Sequence, residues 1–251
     1  MSTVRKLYDY LDNVIPKEFS CEWDNDGNMC VPDGNREVKK VLICLDISEK
    51  AIDYAIKNKF DCIISHHPLV FSPMKNIDEK DHISSKLCKM IRHNISAFSF
   101  HTRLDKMSGG VNDMLAEAIG MKNVTEFSDV GRMGDVYEQK VSDFACMIKE
   151  RLKADRVIYV DSGKKVSKIA IVGGSGKGYL EEALQANCDT FVTGEMPYNC
   201  EHDALEMGIN LVCGGHYFTE NLVCFSIEKL VKCFDESIKT EIIETNPTVT
   251  V

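Results

Sequence analysis

Two adjacent histidines, His66 and His67, close the apolar run Cys62-Ile63-Ile64 and stand directly before Pro68. An apolar run followed by proline reads as a buried strand and its stop. Successive side chains at a strand end point in different directions, so such a pair can serve two metal ions, one imidazole each. Matching partners occur elsewhere. His101 and Asp105 form an H-x-x-x-D, and His216 and Glu220 form an H-x-x-x-E. On a helix this spacing puts both side chains on one face, and just past a strand it still lets them converge. Three separated segments thus supply four imidazoles and two carboxylates, a donor set suited to a two-metal site. A carboxylate can bridge two metals and an imidazole cannot, so Asp105 or Glu220 would supply any protein bridge.

Other motifs carry less chemistry. The run Gly173-Gly174-Ser175-Gly176-Lys177-Gly178 resembles a phosphate loop only superficially. A Walker A motif needs G-x-x-x-x-G-K-[ST], whereas Gly178 follows Lys177 here. The run reads either as an anion cradle or as a plain tight turn. Trp23-Asp24-Asn25-Asp26-Gly27 reads as structural, because Asx turns and capping account for its acids and a calcium loop would need Glu where Asn35 stands. Asp46, ending VLICLD, is either a support for the metal ligands or a helix cap with Ser48.

The elements that must position these residues alternate in type. Strand-like runs cover Val41–Asp46, Cys62–Ser65, Ile95–Phe100, Val157–Asp161, Ile169–Val172, Thr190–Thr193, Ile209–Cys213 and Glu241–Glu244. Helix-period segments cover Glu49–Asn58, Ser84–His93, Val111–Ile119, Tyr179–Ala186 and His202–Met207. This alternation predicts an α/β fold with parallel sheets. The stretch 38–68 lies over 166–197 with one gap, and 94–105 lies over 208–220, each ending in H-x-x-x-acid. An internal duplication follows: two related α/β lobes, 1–125 with His66, His67 and Asp105, and 126–251 with His216 and Glu220. Both would send strand ends to one central cleft holding the metal site. Glu195 falls where the first half has its His pair. Residues 121–154 are polar and variable, and Gly131–Gly134 reads as a loop.

Composition bounds the classes. A chain of 251 residues with 44% hydrophobic content can build one large or two modest domains. A net charge of −9, with no Lys/Arg run longer than two or three, argues against a broad nucleic-acid surface. No stretch approaches the roughly 20 apolar residues of a membrane span. The N-terminal stretch reads as a mixed-charge amphipathic helix, not a signal peptide. Eleven scattered cysteines without a C-x-x-C fit buried thiols in a reducing cytoplasm.

In order, the chain carries W-D-N-x-G, S-H-H-P, H-T-x-x-D, G-G-S-G, T-G-E and G-H-Y-x-T-E. This set resembles the Nif-three-like dinuclear metal-centre family, which bears the label GTP cyclohydrolase I type 2, over nearly the whole length. The resemblance implies intertwined α/β lobes assembled as a ring-shaped homohexamer. It implies metal ligation by His66, His67, Asp105, His216 and Glu220, with His101 lining the site. Two positions depart from the family pattern: Met196-Pro197-Tyr198-Asn199 follows Glu195 in place of histidine, and Asn28 stands where leucine is common.

Two function classes follow. The first is a hydrolase using two divalent ions per chain (Zn, Fe, Mn, Co or Ni), with His101 and Glu195 as candidate acid–base residues. The family label suits a purine nucleotide opened at C8 of its imidazole ring. The second is a metal-binding or regulatory scaffold without turnover.

Overall fold

Strands and helices alternate along the computed structural model, which describes all residues from Met1 to Val251. The strands are β1 (Gly27–Cys30), β2 (Lys40–Cys44), β3 (Cys62–Ser65), β4 (Ser96–Ser99), β5 (Lys122–Phe127), β6 (Gly131–Gln139), β7 (Ile158–Val160), β8 (Val166–Ser175), β9 (Thr190–Glu195), β10 (Asn210–Cys213) and β11 (Lys239–Ile242). They form two sheets, each within its own compact unit.

The first unit comprises Met1–Met107 and Val223–Asn246. Its sheet runs β1-β4-β3-β2-β11, with β1 antiparallel to β4 and the other pairings parallel. β3 and β4 are buried at every position, as expected of central strands covered on both faces. The covering helices start at clear caps. Ser48 Oγ accepts from Ala51 N and opens the helix Glu49–Lys57, whose Ala51, Ile52 and Ala55 face inward. Asp81 accepts from Ile83 N and Ser84 N and opens His82–Arg92, which ends on Lys89 and Arg92 at its negative pole. Leu42, Ile52, Phe60, Ile63 and Met90 pack into one core.

The second unit comprises Ser108–Leu222 with Pro247–Val251. Its sheet runs β5-β6-β8-β9-β10-β7, with β8, β9 and β10 parallel and the outer strands antiparallel. The helix Val111–Ile119 stops at Gly120, whose φ of +79° closes the C-terminus at no steric cost.

The duplication extends to individual side chains. Asp61 Oδ2 accepts from Lys39 N and Lys40 N, and Asp189 Oδ2 accepts from Ser167 N and Lys168 N. Lys40 Nζ donates to Asn58 O, and Lys168 Nζ donates to Ala186 O. Lys59 and Asn187, one residue past those carbonyls, both turn through a positive φ (58° and 57°). The same strand–helix–strand unit, with the same carboxylate clip, has been built twice.

Two expectations change. Gly131–Gly134 is not a loop but the start of β6, which pairs with both β5 and β8. A Cβ on Gly131 would lie 2.5 Å from Ile171 O, so glycine here permits close strand approach instead of marking a turn. A cut near residue 125 falls inside β5, and Val223–Asn246 returns to the first unit because β11 pairs with β2. No helix is long and apolar enough to cross a membrane.

Candidate metal centre

In the first unit the end of β3 delivers His66, fully buried, and His67, half-buried. β4 ends just before His101, and one helical turn, Thr102–Lys106, carries Asp105. His66, His67 and His101 each bring a ring nitrogen within 4.8 Å of the others. Asp105 Oδ1 lies 3.6 Å from His66 Nε2.

Each of these rings is held by its other nitrogen. His66 Nδ1 donates to the backbone carbonyl of Phe100 at 3.0 Å. His67 Nδ1 meets Asp46 Oδ1 at 2.8 Å, and His101 Nδ1 meets Asp24 Oδ1 at 2.9 Å. An oxygen acceptor at Nδ1 fixes the tautomer and leaves the Nε2 lone pair for a metal or a proton. For Asp46 this decides between the two readings: the carboxylate holds His67, while Ser48 caps the helix.

The turn at 23–27 does more than bend the chain. Asp24 Oδ2 also accepts from Thr102 N at 3.0 Å and Thr102 Oγ1 at 2.6 Å. Burial alone would push the Asp24 carboxyl up, but the bonds from His101 and Thr102 outweigh it and hold the group well below the usual carboxylate range. Asp26 takes the neighbouring Arg103 through two bonds, Nε–Oδ2 and Nη2–Oδ1, both 2.8 Å. Arg103 is 1% exposed and also donates to Asp12 Oδ1 at 2.7 Å. Two carboxylates of one turn thus clamp both ends of His101-Thr102-Arg103. The sequence reading gave this turn a purely structural part, with its acids spent on local turns and caps; the structure spends both on His101-Thr102-Arg103 instead.

In the second unit His216–Glu220 forms one helical turn after β10. His216 Nε2 lies 3.0 Å from Glu220 Oε2, and its Nδ1 lies 3.2 Å from Glu195 Oε1 at the end of β9. Glu220 is only 5% exposed. The glycine run serves this pair. A Cβ on Gly174, whose φ is +63°, would sit 2.0 Å from Glu220 Oε1 and 3.2 Å from His216 Nε2. A Cβ on Gly194 would meet Thr219 Oγ1 at 2.7 Å. Gly173 N donates to the buried Asn112 Oδ1 at 2.9 Å, and Gly174 N donates to Thr219 Oγ1 at 3.1 Å. Gly173 and Gly174 lie within β8. Their lack of side chains makes room for a carboxylate and an imidazole, and their amides are taken by protein oxygens.

Both half-sets therefore fit divalent metal. Their donors are imidazole and carboxylate, and all four histidines have Nδ1 against an oxygen acceptor.

Comparison with known proteins places the chain in a family. The family model for Duf34/NIF3 (NGG1p interacting factor 3) matches residues 2–248. A Lactococcus lactis protein named GTP cyclohydrolase 1 type 2 homolog is 29% identical over 244 residues, covering 93% of this chain and 94% of its own. A Clostridium acetobutylicum protein of the same name is 30% identical over 229 residues, covering 86% and 85%. The crystal structure of a hypothetical protein from Staphylococcus aureus superposes with a TM-score of 0.89 at 28% identity, covering 99% of both chains. With the histidine and carboxylate motifs, the duplicated fold and a match along almost its entire length, this chain belongs to the DUF34/NIF3 family.

Proposed function

We propose that the protein is a hydrolase that works with two divalent metal ions per chain, held by His66, His67, Asp105, His216 and Glu220. One observation carries the reading: four histidines on three separate segments share a single arrangement, Nδ1 against an oxygen, which is how a metal-binding imidazole is oriented. Beside these rings stand the carboxylates of Asp105 and the buried Glu220, the second donor type of such a site. The donor set suits Zn, Fe, Mn, Co or Ni. When bound, such a pair supplies Lewis acidity, acidifying nearby water and stabilising negative charge on an attacked centre.

The chain's own groups handle protons. His101, set by Asp24, would take or give a proton at Nε2, and the imidazolium would be stabilised by the buried carboxylate. Glu195 is the second candidate for that work, from an exposed position against His216 Nδ1. The name carried by the Lactococcus and Clostridium relatives makes a purine nucleotide the first substrate to try. Assembly as a homohexameric ring in the cytoplasm belongs to the same proposal, and a mass measurement in solution tests the ring.

The test is hydrolysis of a nucleotide and ester panel by the metal-loaded protein beside His66→Ala. Loss of turnover in a variant with unchanged far-UV circular dichroism supports the reading. Full turnover by that variant defeats it.

A further inference from the structure

We propose that Trp23 and Phe71 form a stacking subsite for a planar heteroaromatic ring beside His101. The location of this subsite at a reaction centre rests on the metal-hydrolase reading; its geometry does not. Trp23 is 63% exposed and Phe71 51%, unusual for side chains whose burial is strongly favourable. Neither is loose. The residue after Trp23 is Asp24, whose carboxylate is fully buried against His101 and Thr102. Asn25 Nδ2 donates to the carbonyl of Val70, the residue before Phe71, and so ties the two loops together. The backbone beside each ring is thereby fixed while the ring itself stays at the surface.

The rings meet at one place. Trp23 and Phe71 have centroids 6.0 Å apart and planes 53° apart, so they are splayed and not stacked on each other. Each stands nearly perpendicular to His101, at 6.1 Å and 75° for Trp23 and 6.4 Å and 77° for Phe71. His101 in turn contacts the rings of His66 and His67. A flat ligand stacked on one of these faces, with the other ring tilted against it, would stand beside His101 and the histidine cluster. Base–aromatic stacking needs only a π face and is tolerant of ring identity. The two exposed rings are flanked in sequence by the exposed polar residues Glu22 and Ser72. A protein partner would need roughly 800 Å² of face, so a small heterocycle fits them better.

Trp23 is the sole tryptophan of the chain, so its fluorescence reports this position alone. The experiment titrates the zinc-loaded full-length protein with guanosine monophosphate and with ribose 5-phosphate, and measures zinc content in the same samples. It is repeated with Phe71→Leu, which keeps apolar bulk and removes the ring. Expected is saturable quenching by guanosine monophosphate alone, with a Kd weakened roughly tenfold in folded Phe71→Leu. No quenching, equal quenching by ribose 5-phosphate, or an unchanged Kd in Phe71→Leu would overturn the subsite. A blue-shifted emission shielded from acrylamide, with no nucleotide response, would mean that another copy covers the rings and would also overturn it. Quenching by a chain that binds no zinc would keep the stacking subsite and remove the metal reading, so the two failures are separable.

Discussion

Asp24 holds His101 across 77 residues of sequence, through Nδ1 at 2.9 Å. The carboxylate is fully buried and spends its second oxygen on Thr102. Asp24→Asn keeps the shape but cannot accept every bond. It should cost about 2–3 kcal/mol of stability, the scale for a buried, charge-assisted network losing its acceptor. Turnover should fall roughly 10- to 100-fold as His101 loses its orientation. The folded carboxyl lies below its ordinary value of 3.8, so its contribution is present above that pH and lost as pH falls through the lower, folded value. The stability gap between wild type and Asp24→Asn should therefore narrow below pH 3.8. Urea unfolding at neutral and acid pH measures it, and a constant gap would contradict the assignment.

Asp46 tests the same principle where folding is less involved. Its carboxylate touches His67 Nδ1, yet the side chain is 45% exposed. Asp46→Asn should leave stability within about 0.5 kcal/mol, as for most surface changes. Metal affinity should drop about 10- to 100-fold, because the acceptor that orients a ligating imidazole is weakened. Competition with a chelator reads this directly. Unaltered affinity would place His67 outside the ligand set.

Gly174 and Gly163 separate backbone strain from ligand crowding. Both have positive φ, +63° and +84°, so alanine at either should cost about 1 kcal/mol through the backbone. A Cβ on Gly163 meets nothing within 4 Å, whereas one on Gly174 collides with Glu220 Oε1 at 2.0 Å. Gly163→Ala should keep its metal, and Gly174→Ala should lose affinity as Glu220 is displaced. Equal metal content in the two variants would show that Glu220 does not ligate.

The buried thiols set an alkaline limit. Burial pushes Cys188 up to about 11 and Cys213 up to about 12, from an ordinary 9.0. Groups with raised folded values contribute fully below the unfolded value and lose that contribution as pH rises through the folded one. Stability should therefore decline from pH 9 toward pH 12, and more gently in Cys213→Ala. Unfolding curves across that range test it; a flat profile would mean these thiols are solvated.

Much of this was readable in the residues. Strand-like runs of four to six residues between helix-period segments located β2, β3, β4, β9 and β10, because burial and local propensity agree there. The duplication was visible from 38–68 against 166–197, and Asp61 and Asp189 show its physical content. β5 was missed because its residues are polar and almost all exposed, and β6 because its glycines read as loop, while the need for close approach at Gly131 appears only beside Ile171. The grip of Asp24 on His101 and of Asp26 on Arg103 was also hidden. No local pattern reports a bond spanning 77 residues.

The most direct measurement is elemental analysis of the purified protein beside a His66→Ala/Glu220→Ala double variant, with oligomer mass and circular dichroism checked on both. Expected are about two equivalents of divalent metal per chain in the wild type, as a two-metal centre requires, and loss of that metal in a variant that remains folded. A wild-type protein without metal, or a folded variant that retains it, would contradict the assignment of these ligands and the hydrolase reading with it.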